Sequence, residues 1–390
     1  MALDLARFGG ALLHRDEWRA LGAHPRMLAS DQFVTVFPGY LTPASRPATF
    51  NAMAHVLQNR VRPGSVLSHS TAAVLWDLPL PAAFESGVGL LRVPVPVDER
   101  TPGKGARARA DPASDPLPDE YLFGPNGLLV PAVRVGLSLG GSVKLPVLHI
   151  RVGPGASSSL GRGATVHRGL LGPAVQHLGL TVSTRPQTLR ELATMLPLWD
   201  VVAIADALLV PSAALPTETI PSLQAALRDG RGTRGTARAR RALALARTDV
   251  RSPTETVMRL LIEEVGLPSP TPNLPVRDPV TKKVRYIDLA WPALRFGLEY
   301  DGDGHRVEKG QWQSDEARRD ELAALGWTLS RANGADLRRP LRILLRLRTA
   351  LGQRGLPVPD ADSIRSAVAR IAADPPSLRI DRVGSAAPRT

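Results

Sequence analysis

The sequence predicts a multidomain α+β protein. Two observations carry that expectation. A length of 390 residues is enough for two or three compact units. The residue pattern also changes by blocks: short helices and a ribbon open the chain, short extended runs broken by glycine and proline fill its centre, and a helix, hairpin, helix, strand, helix succession closes it. The expected segments are 1–82, a winged helix; 83–215, a central mixed α/β region; 216–251, a basic linker; 252–350, an α/β core; and 351–390, a partly disordered tail with one helix over Ala361–Ala372.

Lysine and arginine outnumber aspartate and glutamate by 49 to 36, a formal net charge of +13. Such a surplus favours polyanionic partners through phosphate neutralisation and counterion release, although a GC-rich coding sequence also yields arginine freely. With no cysteine in the chain, disulfides, thiolate metal sites and cysteine nucleophiles are excluded. Asp4 and Arg7 precede any apolar run, and Asp200 and Asp206 interrupt the most apolar stretch, so a cytoplasmic protein without membrane spans is expected.

At the front, helical segments at His14–Leu21 and Pro25–Ser30 precede the extended run Phe33–Leu41, the order of a winged helix-turn-helix. Arg26 is the basic residue of the expected recognition helix. The run Ser68-His69-Ser70-Thr71 is placed to cap a helix over Ala72–Trp76. Extended runs follow at Leu91–Val97, Val143–Val152 and Ala164–His167, with a mobile loop at Thr101–Pro118, and a helical pattern over Thr188–Leu209 is punctuated by Pro197. Arg238, Arg240 and Arg241 belong to an arginine-rich stretch, read as a linker entering a basic helix that is either a solvated surface or a phosphate contact.

Ser252-Pro253-Thr254-Glu255 has serine at the N-cap, proline at the first helical position and glutamate three residues after the cap, so a helix is expected to about Val265. Two extended runs follow, Val284–Trp291 and Phe296–Gly302. A hairpin centred between Ala293 and Leu294 sets Asp288 opposite Glu299 and Tyr286 opposite Asp301. Strand alternation then puts Asp288, Glu299 and Asp301 on one face, and Ile287, Leu289, Leu298 and Tyr300 on the other. Converging carboxylates repel, and a divalent cation is the usual remedy; Mg2+, or Mn2+, suits an all-oxygen site. His305 is a candidate general base or phosphate contact. Helices over Gln311–Leu325, carrying Arg318, and over Ala335–Leu351, carrying Arg338, Arg339 and Arg342, add a basic face. The remaining histidines, His69, His149 and His167 among them, show no metal-ligand spacing and are read as structural or surface residues.

These blocks resemble the restriction-endonuclease-like, Vsr-like domain at the carboxy terminus of many actinobacterial proteins, similar to the PD-(D/E)xK nucleases. The matching residues are Ser252–Glu255, Ile287–Pro292, Glu299–Gly302 with His305, then Asp315, Arg318 and Gly326-Trp327. The resemblance implies metal ligands at Asp288 and Glu299, with Glu255 contributing from the first helix. Asp301 stands where that family has a lysine, which leaves water activation to His305, to another base or to none. The front of the chain is similar to AbiEi-type antitoxins in its winged helix, its Leu67–Ala73 block, Val166-His167-Arg168 and Leu189–Leu209. That likeness implies double-stranded DNA and a toxin protein as partners. The function expected is metal-dependent DNA cleavage, the alternative a non-catalytic, antitoxin-like transcriptional regulator.

Overall fold

The computed structural model of the chain describes residues 3–80, 121–123, 129–157, 159–211, 217–229, 232–301 and 309–373. The expected run Leu91–Val97, the loop Thr101–Pro118, His305 and the last residues of the tail lie outside them. The fold is mixed α and β, in two compact units, Met1–Met195 and Leu196–Thr390.

In the first unit, β1 (Leu13–His14), α1 (Arg15–Ala20), α2 (Pro25–Leu28), β2 (Phe33–Phe37) and β3 (Tyr40–Pro43) form a three-stranded sheet, order β1-β3-β2, with two short helices. Trp18 anchors it: the ring is fully buried against Ala23, Phe33 and Leu41, and its Nε1–H donates to the Leu41 carbonyl at 2.9 Å. Gly39, at φ +79°, turns the hairpin, and a side chain there would meet the His14 ring.

The chain continues through α3 (Phe50–Val56), β4 (Val66–Leu67) and α4 (His69–Leu75). Next come β5 (Tyr121–Phe123), β6 (Leu129–Gly136), β7 (Ser142–Pro146), β8 (Leu148–Val152), β9 (Ala164–Arg168), β10 (Ala174–His177), β11 (Leu180–Ser183) and α5 (Arg185–Leu192). β5, β6 and β7 make an antiparallel sheet. A five-stranded mixed sheet runs β10-β11-β4-β8-β9, so β4 is joined to strands more than eighty residues downstream. β8 and β9 are parallel, with β9 at the edge. α4, all of whose side chains are buried, packs on β8 and α5.

The second unit opens with α6 (Leu198–Leu209), α7 (Ile220–Asp229), α8 (Thr236–Leu245) and α9 (Pro253–Glu264). Pro197 separates α5 from α6 as expected, and Ser252 caps α9. The expected basic helix is present as α8, and the stretch before it carries a further helix, α7: Leu223 and Leu227 of α7 and Ala239, Ala242 and Leu243 of α8 are buried. A small apolar stripe suffices to dock an arginine-rich helix. Asp206 on α6 ties these helices together, accepting from Thr256 Oγ1 (2.7 Å), the Arg247 N–H (2.7 Å) and the fully buried Arg259 guanidinium (3.3 Å). Burial pushes the Asp206 carboxyl up to about 6 despite those donors.

β12 (Thr271–Arg277), β13 (Val284–Trp291), β14 (Phe296–Asp301), α10 (Lys309–Ala324), β15 (Thr328–Asn333), α11 (Gly334–Arg338), α12 (Leu341–Gln353) and α13 (Ala361–Ala373) complete the unit. The sheet order is β12-β13-β14-β15, antiparallel except for β14 and β15, which are parallel and connected through α10. One long helix was expected over Ala335–Leu351. Pro340 breaks it between α11 and α12, since proline cannot continue the backbone ladder. The helix expected in the tail over Ala361–Ala372 is present as α13, whose Ile364 and Ala367 enter the core with Leu344, Leu347 and Leu351.

The β13–β14 register is the expected one, with Leu289, Ala290 and Trp291 paired to Leu298, Gly297 and Phe296. Leu289, Trp291, Leu298 and Tyr300 pack towards α9 and α12. Ile287 does not join them as expected. It packs with Ala290 and Leu322 of α10 on the opposite face, so alternation fails between Ile287 and Leu289. The cause lies at Asp288, whose Oδ2 accepts the Tyr300 N–H at 2.9 Å where a regular ladder would continue.

Gly297 lies under this irregularity: a β-carbon there would stand 2.6 Å from Ile287 Cγ2 and 2.9 Å from Leu329 Cδ2. Gly297→Val is expected to destabilise the second unit by about 1–3 kcal/mol, the usual cost of overpacking. Urea denaturation checks this, and an unchanged midpoint contradicts the packing described.

Candidate functional site

The acidic centre is assembled by contacts among all four sequence blocks that predict it. At the start of α9, Ser252 Oγ accepts the Glu255 N–H (3.2 Å) and donates to Glu255 Oε1 (2.8 Å), while Glu255 Oε2 accepts the Arg251 N–H (3.2 Å). Glu255, 4% exposed, therefore serves the helix start in this structure. The Arg251 guanidinium lies 4.5 Å from the centre of the Tyr286 ring on β13. Arg318 of α10 donates to the Tyr286 carbonyl at 2.9 Å and pairs with Glu299 on β14.

Glu299 shares the face of Gly297, beneath α10, and Arg318 is one helical turn before Leu322, which covers that face. Asp288 and Glu299 are 6% and 8% exposed. The two buried carboxylates thus lie on paired strands, with Glu299 met by the Arg318 guanidinium and Asp288 by the Tyr300 N–H. Asp301 ends β14, but its side chain, like those of Asp315 and Arg338 and the whole of His305, lies outside the described residues.

The other basic candidates divide by what they touch. Arg238 donates to the Leu196 carbonyl (2.9 Å) and Arg240 to the Leu227 carbonyl (2.7 Å), so both help to fasten helices of the second unit. Arg26, Arg241, Arg339 and Arg342 are exposed. Arg26 sits on a helix of only four residues.

A second constellation was not expected. Among the described residues, His69, His149 and His167 each offer a ligand atom, all within 4.8 Å of one another. The reading of these histidines as scattered is corrected by topology. Parallel pairing of β8 with β9 sets His149 against Thr165 and Arg151 against His167, and the start of α4 lies over the same strands. His149 Nδ1 and His167 Nε2 are 3.0 Å apart, and the His69 ring stacks on His167 with centroids 3.6 Å apart. Sequence holds a partial signal, since His69 and His167 fall in two blocks singled out above. The strand pairing that unites them leaves no local pattern.

Glu191 of α5 holds this cluster. Buried, it accepts the His69 N–H (2.9 Å), Gln187 Nε2 (2.7 Å), Ser183 Oγ (3.1 Å) and Arg151 (3.3 Å). His69 occupies the left-handed region at φ +51°, a conformation unfavourable for a side-chain-bearing residue. α4 begins at His69 rather than at the expected Ala72, which leaves Ser68 at the N-cap; its hydroxyl bonds to His69 Nδ1 (2.9 Å), and Glu191 takes over the helix-start N–H. Burial holds the Glu191 carboxyl above its ordinary value and drives His69 well below its own. Burial, and then His167, push His149 down to about 3; burial, and then Arg151, push His167 down to about 4. All three imidazoles are neutral near pH 7.

The class defined here is a two-unit, mixed α/β protein with an acidic, arginine-covered hairpin in one unit and a buried histidine cluster in the other. Two uncharacterized proteins of Mycobacterium tuberculosis, one from strain CDC 1551 / Oshkosh and one from strain ATCC 25618 / H37Rv, are each 28% identical to this chain over 175 residues. The match covers 43% of this chain and 64% of each relative, so the chain spans less than two thirds of the curated relatives it matches. No family model and no solved structure matches. Among the described residues, no helix is long and apolar enough to cross a membrane.

The depressed imidazoles give a pH dependence of definite sign. Unfolded, His149 and His167 return to about 6.5 and take up protons that the folded unit refuses. First-unit stability is therefore complete above pH 7 and falls as pH drops from 6.5 towards 4. In EDTA-containing buffer, His167→Gln should flatten this acid limb by an amount on the order of 3 kcal/mol. Urea midpoints measured across that range check it, and an equally steep limb in the variant contradicts neutral burial of His167.

Proposed function

We propose that the protein binds double-stranded DNA and that its second unit carries a metal-dependent centre for phosphodiester hydrolysis at Asp288 and Glu299. The observation that carries this reading is the pair of buried carboxylates on adjacent antiparallel strands, Asp288 held by the Tyr300 N–H and Glu299 by Arg318, in a chain of net charge +13. Buried carboxylates are costly, and an all-oxygen pair is a donor set for a hard divalent ion. Asp288 and Glu299 would hold Mg2+ or Mn2+. When bound, such an ion lowers the pKa of a water and offsets charge on a scissile phosphate.

The chain's own residues prepare that chemistry. The Tyr300 N–H orients the Asp288 carboxylate, and Arg318 balances Glu299 and offers a guanidinium to a phosphate oxygen. His305 or Asp301 is proposed to take the water's proton. Arg339 and Arg342, exposed around the α11–α12 corner, and Arg26 and Arg241 serve as phosphate contacts, while α1, α2 and the β2–β3 hairpin act as a winged helix on the duplex. A second reading, an antitoxin-like regulator with a toxin partner and a nuclease fold kept only for binding, is favoured by one observation: Arg318 already neutralises Glu299.

Cleavage of labelled duplex DNA with Mg2+ or Mn2+ separates the two, using the near-isosteric Asp288→Asn and Glu299→Gln. The wild type is expected to cleave and both variants to fall to background with salt-dependent binding retained. Wild-type binding without cleavage supports the regulator.

A further inference from the structure

We propose that His69, His149 and His167 of the first unit form a binding site for one borderline transition-metal ion of the zinc class, held by three ring nitrogens. The site is independent of the acidic hairpin and differs from it in kind, since imidazole favours Zn2+, Co2+ and Ni2+ over Mg2+.

Four observations converge on it. The ligand atoms lie within 4.8 Å of one another and come from α4, β8 and β9, which hold them by backbone as well as side-chain bonds. Ser68 N–H donates to the His149 carbonyl (2.9 Å) and His149 N–H to Thr71 Oγ1 (2.7 Å), so the helix start and the strand are fixed to one another. His149 faces the cluster through Nδ1, 3.0 Å from His167 Nε2, and its buried Nε2 makes no hydrogen bond within the described structure, so no competing partner holds this fully buried ring away from the site. The Nδ1 side of His69 faces the Ser68 hydroxyl at 2.9 Å and Glu191 Oε2 at 3.9 Å, the carboxylate-behind-histidine arrangement that fixes a ligand's tautomer and turns Nε2 inward.

Neutral imidazoles carry the lone pairs that an ion requires, and burial keeps these three neutral. Arg151 would oppose a cation, but its charge is met by Glu191 at 3.3 Å. A tetrahedral ion with bonds of about 2.0–2.1 Å needs nitrogens about 3.4 Å apart. Binding therefore moves the His149 and His167 nitrogens slightly apart from 3.0 Å, replaces their hydrogen bond by bonds to the ion and opens the His69–His167 stack. His167, partly exposed on the edge strand β9, gives the ion its way in and leaves a fourth position for water.

The test uses the full chain stripped of metal with a chelator. Titration with Co2+ should give the visible absorption of a four- or five-coordinate nitrogen site at one ion per chain, and Zn2+ should abolish it by competition. Zn2+, but not Mg2+, should raise the thermal midpoint of the first unit. His167→Ala and His149→Gln should each weaken Zn2+ binding by at least about tenfold, with folding checked by circular dichroism, whereas His55→Gln, at an exposed histidine outside the cluster, should leave it unchanged. The wild-type cobalt spectrum needs no variant: its absence, or equal Zn2+ affinity in a folded His167→Ala chain, overturns the site.

Discussion

A carboxylate taken out of water must be met by hydrogen-bond donors, and both units of this protein are organised around that requirement. In the first, Glu191 gathers the His69 N–H, Gln187, Ser183 and Arg151, and so sets the start of α4 over the five-stranded sheet. In the second, Asp206 gathers Thr256, Arg259 and the Arg247 N–H to join α6 to α9. Asp288 takes the Tyr300 N–H and Glu299 takes Arg318. Each acid fixes secondary-structure elements that apolar packing alone would leave free to slide.

The two acids of the hairpin differ from Glu191 and Asp206 in their setting. Asp288 interrupts the strand pairing it belongs to, and Glu299 is held by a side chain from a crossover helix that covers only one face of the sheet. Strand irregularities of this kind re-aim side chains and gather at functional edges. A guanidinium over a carboxylate neutralises charge that a cation would otherwise balance, so the same geometry is compatible with the proposed nuclease centre at rest and with a purely structural pair.

Local chemistry was legible in the sequence. Ser252, Pro253 and Glu255 mark the start of α9, Pro197 divides α5 from α6, and the spacing around Ala293 and Leu294 sets the hairpin register. What depends on contacts distant in the chain was not. The break at Asp288 reverses Ile287 because a side chain displaces a ladder bond, which no alternation rule anticipates. The arginines mark the basic helix α8 but mask the few buried residues that pack α7, so the stretch before α8 reads as linker. The histidine cluster depends on parallel pairing of β8 and β9 and on α4 lying across them, and neither is written in residue spacing.

The central claim, that Asp288 and Glu299 form a divalent-metal centre, is tested most directly by Mn2+ titration of the full chain followed by electron paramagnetic resonance, comparing the wild type with Glu299→Gln. The account predicts one bound Mn2+ that Mg2+ competes away and that the variant loses. No Mn2+ bound by the wild type, or the same binding in both proteins, would contradict it.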